Sequence, residues 1–63
     1  MILAVGYENS SKVLEIDFRR GSRVYRYFEV PEFLYQGLLA ARSKGQFFTT
    51  RIAGRFRTEC VRR

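Results

Sequence analysis

The chain has 63 residues, enough for one domain that buries only about 60% of its unfolded surface, so the core is small. One cysteine excludes an internal disulfide framework, and the lack of histidine removes the commonest metal ligand and general base. The net charge is +6, from twelve Lys and Arg against six Asp and Glu, with seven of the basic and two of the acidic side chains in residues 32–63; that bias favours nucleic acid or acidic surfaces as partners over charge carried for solubility alone.

Met1–Gly6 has no basic leader and a very short apolar stretch, so it does not read as a signal peptide. No apolar run reaches the ~20 residues of a membrane span. With one cysteine, the expected setting is a reducing cytoplasm.

Leu3, Val5 and Tyr7 alternate with smaller or charged residues and predict a first strand. Asn9–Lys12 is a turn cluster, followed by Val13–Phe18, in which Leu14, Ile16 and Phe18 share one face and Glu15 and Asp17 the other. Gly21 marks a second turn, and Arg23–Val30 is a third strand with Tyr25 and Tyr27 on one face. Pairing Glu8 with Val13 sets Tyr7 opposite Leu14, Val5 opposite Ile16 and Leu3 opposite Phe18. Pairing Phe18 with Arg23 sets Ile16 opposite Tyr25 and Leu14 opposite Tyr27. Both turns then aim the same bulky side chains at one face, and a one-residue slip would turn them all outward. On the other face Glu15 meets Arg26 as a cross-strand charge pair.

Pro31 suits the first position of a helix, with Glu32 complementing the positive helix end. Leu34, Gly37, Leu38 and Ala41 form the buried stripe of a helix over 33–42. The small Gly37, Ala40 and Ala41 would allow it close to the tyrosine face, and Gly45 is the expected stop. Thr49 is a candidate N-cap for a short second helix carrying Ile52 and ended by Gly54, with Phe48 and Ile52 closing the core. Residues 55–63 are either a basic tail or a short strand, and a strand through 55–60 is the favoured reading. The fold class is α+β, a three-stranded antiparallel meander with one helix on one face, a second helical turn and a short C-terminal strand.

Tyr7, the Leu14-x-Ile16-x-Phe18 strand, Gly21, Tyr25-x-Tyr27, Val30-Pro31, Ala41-x-Ser43-x-Gly45, Phe48 and Ile52 follow one another in an ordered set. Over residues 5–52 this set resembles the KTSC domain, a small module named for the C-terminus of some lysyl-tRNA synthetases and also found as stand-alone bacterial or phage-borne proteins. The resemblance implies one small domain over 1–63 for which RNA binding has been suggested, with no catalytic residue to carry over. Thr49 departs from the asparagine that the family often has, and nothing from Gly54 onward matches its pattern.

The residues give little chemistry. Ser10, Ser11, Ser22, Ser43 and Cys60 have no histidine to activate them, and one cysteine makes a zinc site implausible. The expectation is no enzyme, no cofactor and no metal. Tyr25 and Tyr27 suit base stacking on a sheet, but six apolar neighbours and a following helix favour a core role. The stronger candidates are Arg42, Lys44, Arg51, Arg55, Arg57, Arg62 and Arg63, a set fit to bind nucleic acid, RNA more than DNA, with Phe47 and Phe56 interleaved for stacking; a solvated helix end and tail is the competing reading. Val13, Val24, Phe28 and Val30 form an apolar strip on the other sheet face, with Val24, Phe28 and Val30 as a candidate partner surface. That strip supports the alternative function, a protein-interaction or dimerisation module such as a phage or bacterial effector acting on a host protein.

Overall fold

Leu14 and Ile16 are fully buried and alternate with half-buried Val13, Glu15 and Asp17, the mark of a strand with one covered face. In a computed structural model, which describes residues 2–18 and 23–62 except the side chains of Leu3 and Arg62, this strand is β2 (Val13–Phe18). The expected turn at Gly21 lies outside the described residues. Strand β1 (Ile2–Glu8) and strand β3 (Arg23–Tyr27) flank β2, both antiparallel to it. Tyr7–Leu14, Val5–Ile16, Ile16–Tyr25 and Leu14–Tyr27 are partners, as the alternation requires.

Phe18 is met by Ile2 rather than Leu3, because the register shifts between Ile2 and Ala4. Two steps along β1 there match one along β2, a bulge that brings Ile2 onto the core. The C-terminal segment forms a fourth strand, β4 (Thr58–Arg62), antiparallel to β3 and starting later than position 55. The sheet order β1-β2-β3-β4 makes β3 an interior strand.

Glu29 is the point where the alternation fails. Continued period two would aim its carboxylate at the tyrosine face, where burial of an unpaired charge is costly. The chain instead turns left-handed at Glu29 (φ 57°), leaving Glu29 exposed and carrying Val30 into the core. The Val30 amide donates to the Lys12 carbonyl at 2.9 Å, and the Tyr7 hydroxyl donates to the Val30 carbonyl at 2.6 Å, so this corner is tied to the β1–β2 turn.

Pro31 caps helix α1 (Glu32–Ala40) from outside, with ψ 146°, rather than occupying its first turn. The helix stops short of Arg42 because Ala41 is extended and Ser43 begins a new one; its Oγ accepts from the Gln46 amide at 3.2 Å. Gly45 therefore lies inside the short helix α2 (Lys44–Phe47) and stops nothing. Thr49 does not cap either: the Thr49 and Thr50 hydroxyls donate to the Gly45 and Gln46 carbonyls, 2.9 Å each, where α2 widens into a π turn (Phe48–Ile52). Gly54, at φ 76°, ends the segment as expected. Gly37 accommodates Phe47 of α2 rather than the tyrosine face, since a Cβ there would lie 2.7 Å from the Phe47 ring.

The core gathers Leu14, Ile16, Tyr27, Val30, Leu34, Leu38 and Ile52 between the sheet and this helical layer. Phe48 closes it edge-to-face against Phe18 and Tyr27, and Tyr35 of α1 stacks on Tyr7 with centroids 5.0 Å apart. Among the described residues no helix is long and apolar enough to cross a membrane.

Candidate nucleic-acid interface

The tyrosine pair is not a stacking platform. Tyr27 is 5% exposed, and Tyr25 is half-buried with its ring edge-to-face with Phe18. Burial, with Tyr25 alongside, pushes the Tyr27 hydroxyl from 10.0 up to about 12.

The apolar strip is not an open partner surface either. Val24 and Val30 are fully buried. Val24 sits between Asp17 and Val61 in the sheet register, so the added strand β4 removes the edge that would have exposed it. Val30 belongs to the core because of the turn at Glu29. Phe28 is half-buried, and the Arg57 guanidinium lies over its ring, 4.7 Å from the centroid. Glu15 and Arg26 form the expected ion pair at 3.0 Å, committing that arginine to the sheet.

The basic residues fall at the α1–α2 link, on the π turn, at one groove and at the end of β4. Arg42 is exposed in the link between α1 and α2, and Lys44 donates through Nζ to the Leu39 carbonyl at 3.3 Å, satisfying the end of α1. Arg51, on the π turn, lies over the Phe47 ring at 5.8 Å. Arg55 donates through Nη2 to the Thr50 carbonyl at 3.2 Å. Arg55 and Arg57 then line one groove with Phe28, Glu29 and Phe56, about 300 Å³ in volume, and a shallower depression beside it adds Thr58 and Glu59. Arg62 ends β4 opposite Arg23, with its side chain outside the described residues, as is all of Arg63.

The groove exists because the Phe28 amide donates to the Arg57 carbonyl at 3.0 Å, extending the β3–β4 pairing one step past the strands. That bond sets Phe28 and Arg57 side by side while the turn at Glu29 opens the end of the sheet. Arg55 and Arg57 each keep most of a five-donor fork for an acceptor, Phe28 supplies flat apolar area under Arg57, and Phe56 packs against the core behind them. Such a surface suits a phosphate and a base plane together. Glu29 is the member that residue pattern alone did not bring to the site. Its signal was a charged residue on the apolar side of an otherwise regular alternation. Cys60 is exposed, and among the described residues no cluster of three or more Cys, Asp or Glu could hold a metal.

Known proteins are similar to this chain in sequence, and one of them in fold. A lysine–tRNA ligase of Nostoc punctiforme is 42% identical over 59 residues, covering 94% of this chain and 10% of the ligase. The chain thus spans about a tenth of the length of the curated ligases it matches. A protein of Tsukamurella paurometabola is 39% identical over 56 residues, covering 89% of this chain and 82% of that protein. The crystal structure of a KTSC domain protein from Yersinia pestis matches with a TM-score of 0.91 at 40% identity, covering 95% of this chain and 83% of that one. The KTSC domain model itself matches residues 1–56, so the tyrosine-faced meander, its helical cover and the turn at Glu29 all fall within it, and the chain belongs to the KTSC domain family.

Proposed function

We propose that the domain is a non-enzymatic RNA-binding module of the cytoplasm that meets its ligand through Arg51, Arg55 and Arg57. The observation that carries this reading is the groove in which two arginines flank half-buried phenylalanines, with Arg57 already seated over the Phe28 ring. Guanidinium forks recognise phosphate, and aromatic faces or guanidinium planes stack unpaired bases. Kinship with a segment of lysine–tRNA ligases, enzymes named for an RNA substrate, supports the same direction. Arg51 joins from the adjoining π turn, whose Thr50 carbonyl accepts from Arg55, while the exposed Arg42 stands on the α1–α2 link and adds long-range attraction rather than a contact.

The test is the salt dependence of binding to a single-stranded RNA, followed by fluorescence anisotropy. The logarithm of affinity should fall linearly with the logarithm of salt, with a slope of roughly −0.7 per neutralised phosphate. Replacing Arg51, Arg55 and Arg57 together with Ala should make that slope shallower by about 2 and weaken binding to every sequence. A salt-independent affinity, no binding at low salt, or a triple variant that binds as the parent does would overturn the reading.

A further inference from the structure

We infer that the groove at the end of β3 selects an unpaired guanine, with Glu29 as the residue that reads it; this deepens the RNA reading above and rests on it. A cleft of about 300 Å³ is at the small end of the range for small-molecule sites, so it suits one nucleotide rather than a length of strand. Arg57 over Phe28 presents a layered stack on which a base plane can continue, and Arg55 stands on the same groove with donors for the adjoining phosphate.

Glu29 is out of place in a groove that serves only to attract phosphate. It repels the anion, and it holds the left-handed backbone (φ 57°) that non-glycine residues rarely adopt. The turn leaves its side chain exposed on the groove. Glu29 is exposed and lines the groove with both arginines, yet among the described residues it forms no ion pair with Arg55 or Arg57. Toward the groove, its oxygens are acceptors that neither arginine occupies.

A carboxylate accepts two parallel hydrogen bonds at once. Among the RNA bases, only guanine offers two adjacent donors, N1–H and N2–H, on its Watson–Crick edge. Adenine and cytosine set a donor beside an acceptor there, and uracil sets one donor between two acceptors. That edge is open only when the base is unpaired, the state in which RNA is read by sequence. Arginines supply the affinity and Glu29 supplies the choice.

The experiment measures binding of labelled single-stranded decamers by anisotropy at fixed low salt: oligouridine, the same strand with one central guanine, and the same strand with inosine there, which lacks the N2 amine. The guanine strand should bind on the order of tenfold more tightly than oligouridine, with inosine between them. Glu29→Gln keeps the side-chain shape and replaces one acceptor with a donor, so it should bind oligouridine at least as well as the parent while losing the guanine preference. Glu29→Gly, which suits the left-handed backbone, should do the same and guards against a folding artefact. Equal binding of all three strands by the parent, or a preference that survives in both variants, would overturn the guanine assignment while leaving RNA binding standing. No binding of any strand would remove the RNA reading itself.

Discussion

Under α1 and the π turn, Phe18, Tyr25, Tyr27 and Phe48 meet edge to face with centroids 5.5 Å apart, closed over by helix and sheet. Beyond the end of β3, Phe28 is half-buried like Phe18, Tyr25 and Phe48, but its cover is an arginine, and Phe56 beside it packs back against the core. Both clusters draw on the same residue types and lie a few residues apart in sequence. What separates them is the left-handed turn at Glu29, which sends Val30 inward and leaves Phe28 at the rim. The role of an aromatic side chain here is decided by what covers it, and that cover is set by the backbone.

The sharpest way to break this comparison is to damage the covered side. Leu38 is fully buried, and Leu38→Ala should cost about 2–5 kcal/mol, a large part of the stability of so short a chain, read as a lowered denaturation midpoint. Arg57→Ala, on the open side, should leave that midpoint nearly unchanged. Alkali should distinguish the sides next. The Tyr27 hydroxyl is raised from 10.0 to about 12 in the folded state, so its contribution is fully present below pH 10. It is lost as pH rises from 10 towards 12, because the unfolded chain releases that proton first. Denaturant midpoints across this window should fall for the parent and fall less for Tyr27→Phe. The Tyr7 hydroxyl is also raised, by desolvation first and by Glu32 second, and acts in the same direction.

Relief of the turn that divides the two clusters should have the opposite sign. Glu29→Gly should raise stability by up to about 1 kcal/mol, since glycine enters the left-handed region without steric cost. The smallest effect belongs to the Glu15–Arg26 pair on the solvent side of the sheet, whose side chains are 37% and 44% exposed. Glu15→Gln should change stability by less than about 1 kcal/mol, and less still at high salt.

The sheet was legible in the sequence because Leu14, Ile16, Tyr25 and Tyr27 admit only one pairing that keeps all of them on the covered face. The helical layer was legible in outline but not in its boundaries. Ser43 competes with Gly45 for control of the same few residues, and a capped new helix satisfies more backbone groups than a glycine stop. Val24 was misplaced for a different reason: its burial depends on β4, and nothing within Arg23–Tyr27 reports that a fourth strand will arrive. The basic residues were visible as a composition, yet their division between a helix end, an ion pair and a shared groove follows from backbone geometry. Of the set, Arg55 and Arg57 are brought together with Phe28, and Lys44 is occupied at a helix end.

The division between a closed aromatic core and an open arginine-lined groove is tested most directly by amide chemical shifts during titration of the isotope-labelled domain with a single-stranded RNA. The account predicts large shifts at Phe28, Glu29, Arg51 and residues 55–58, with Ile16, Leu38 and the Tyr7–Tyr35 stack still. Shifts centred instead on the exposed Phe33 and Leu39 of α1, or spread evenly over the surface, would contradict it.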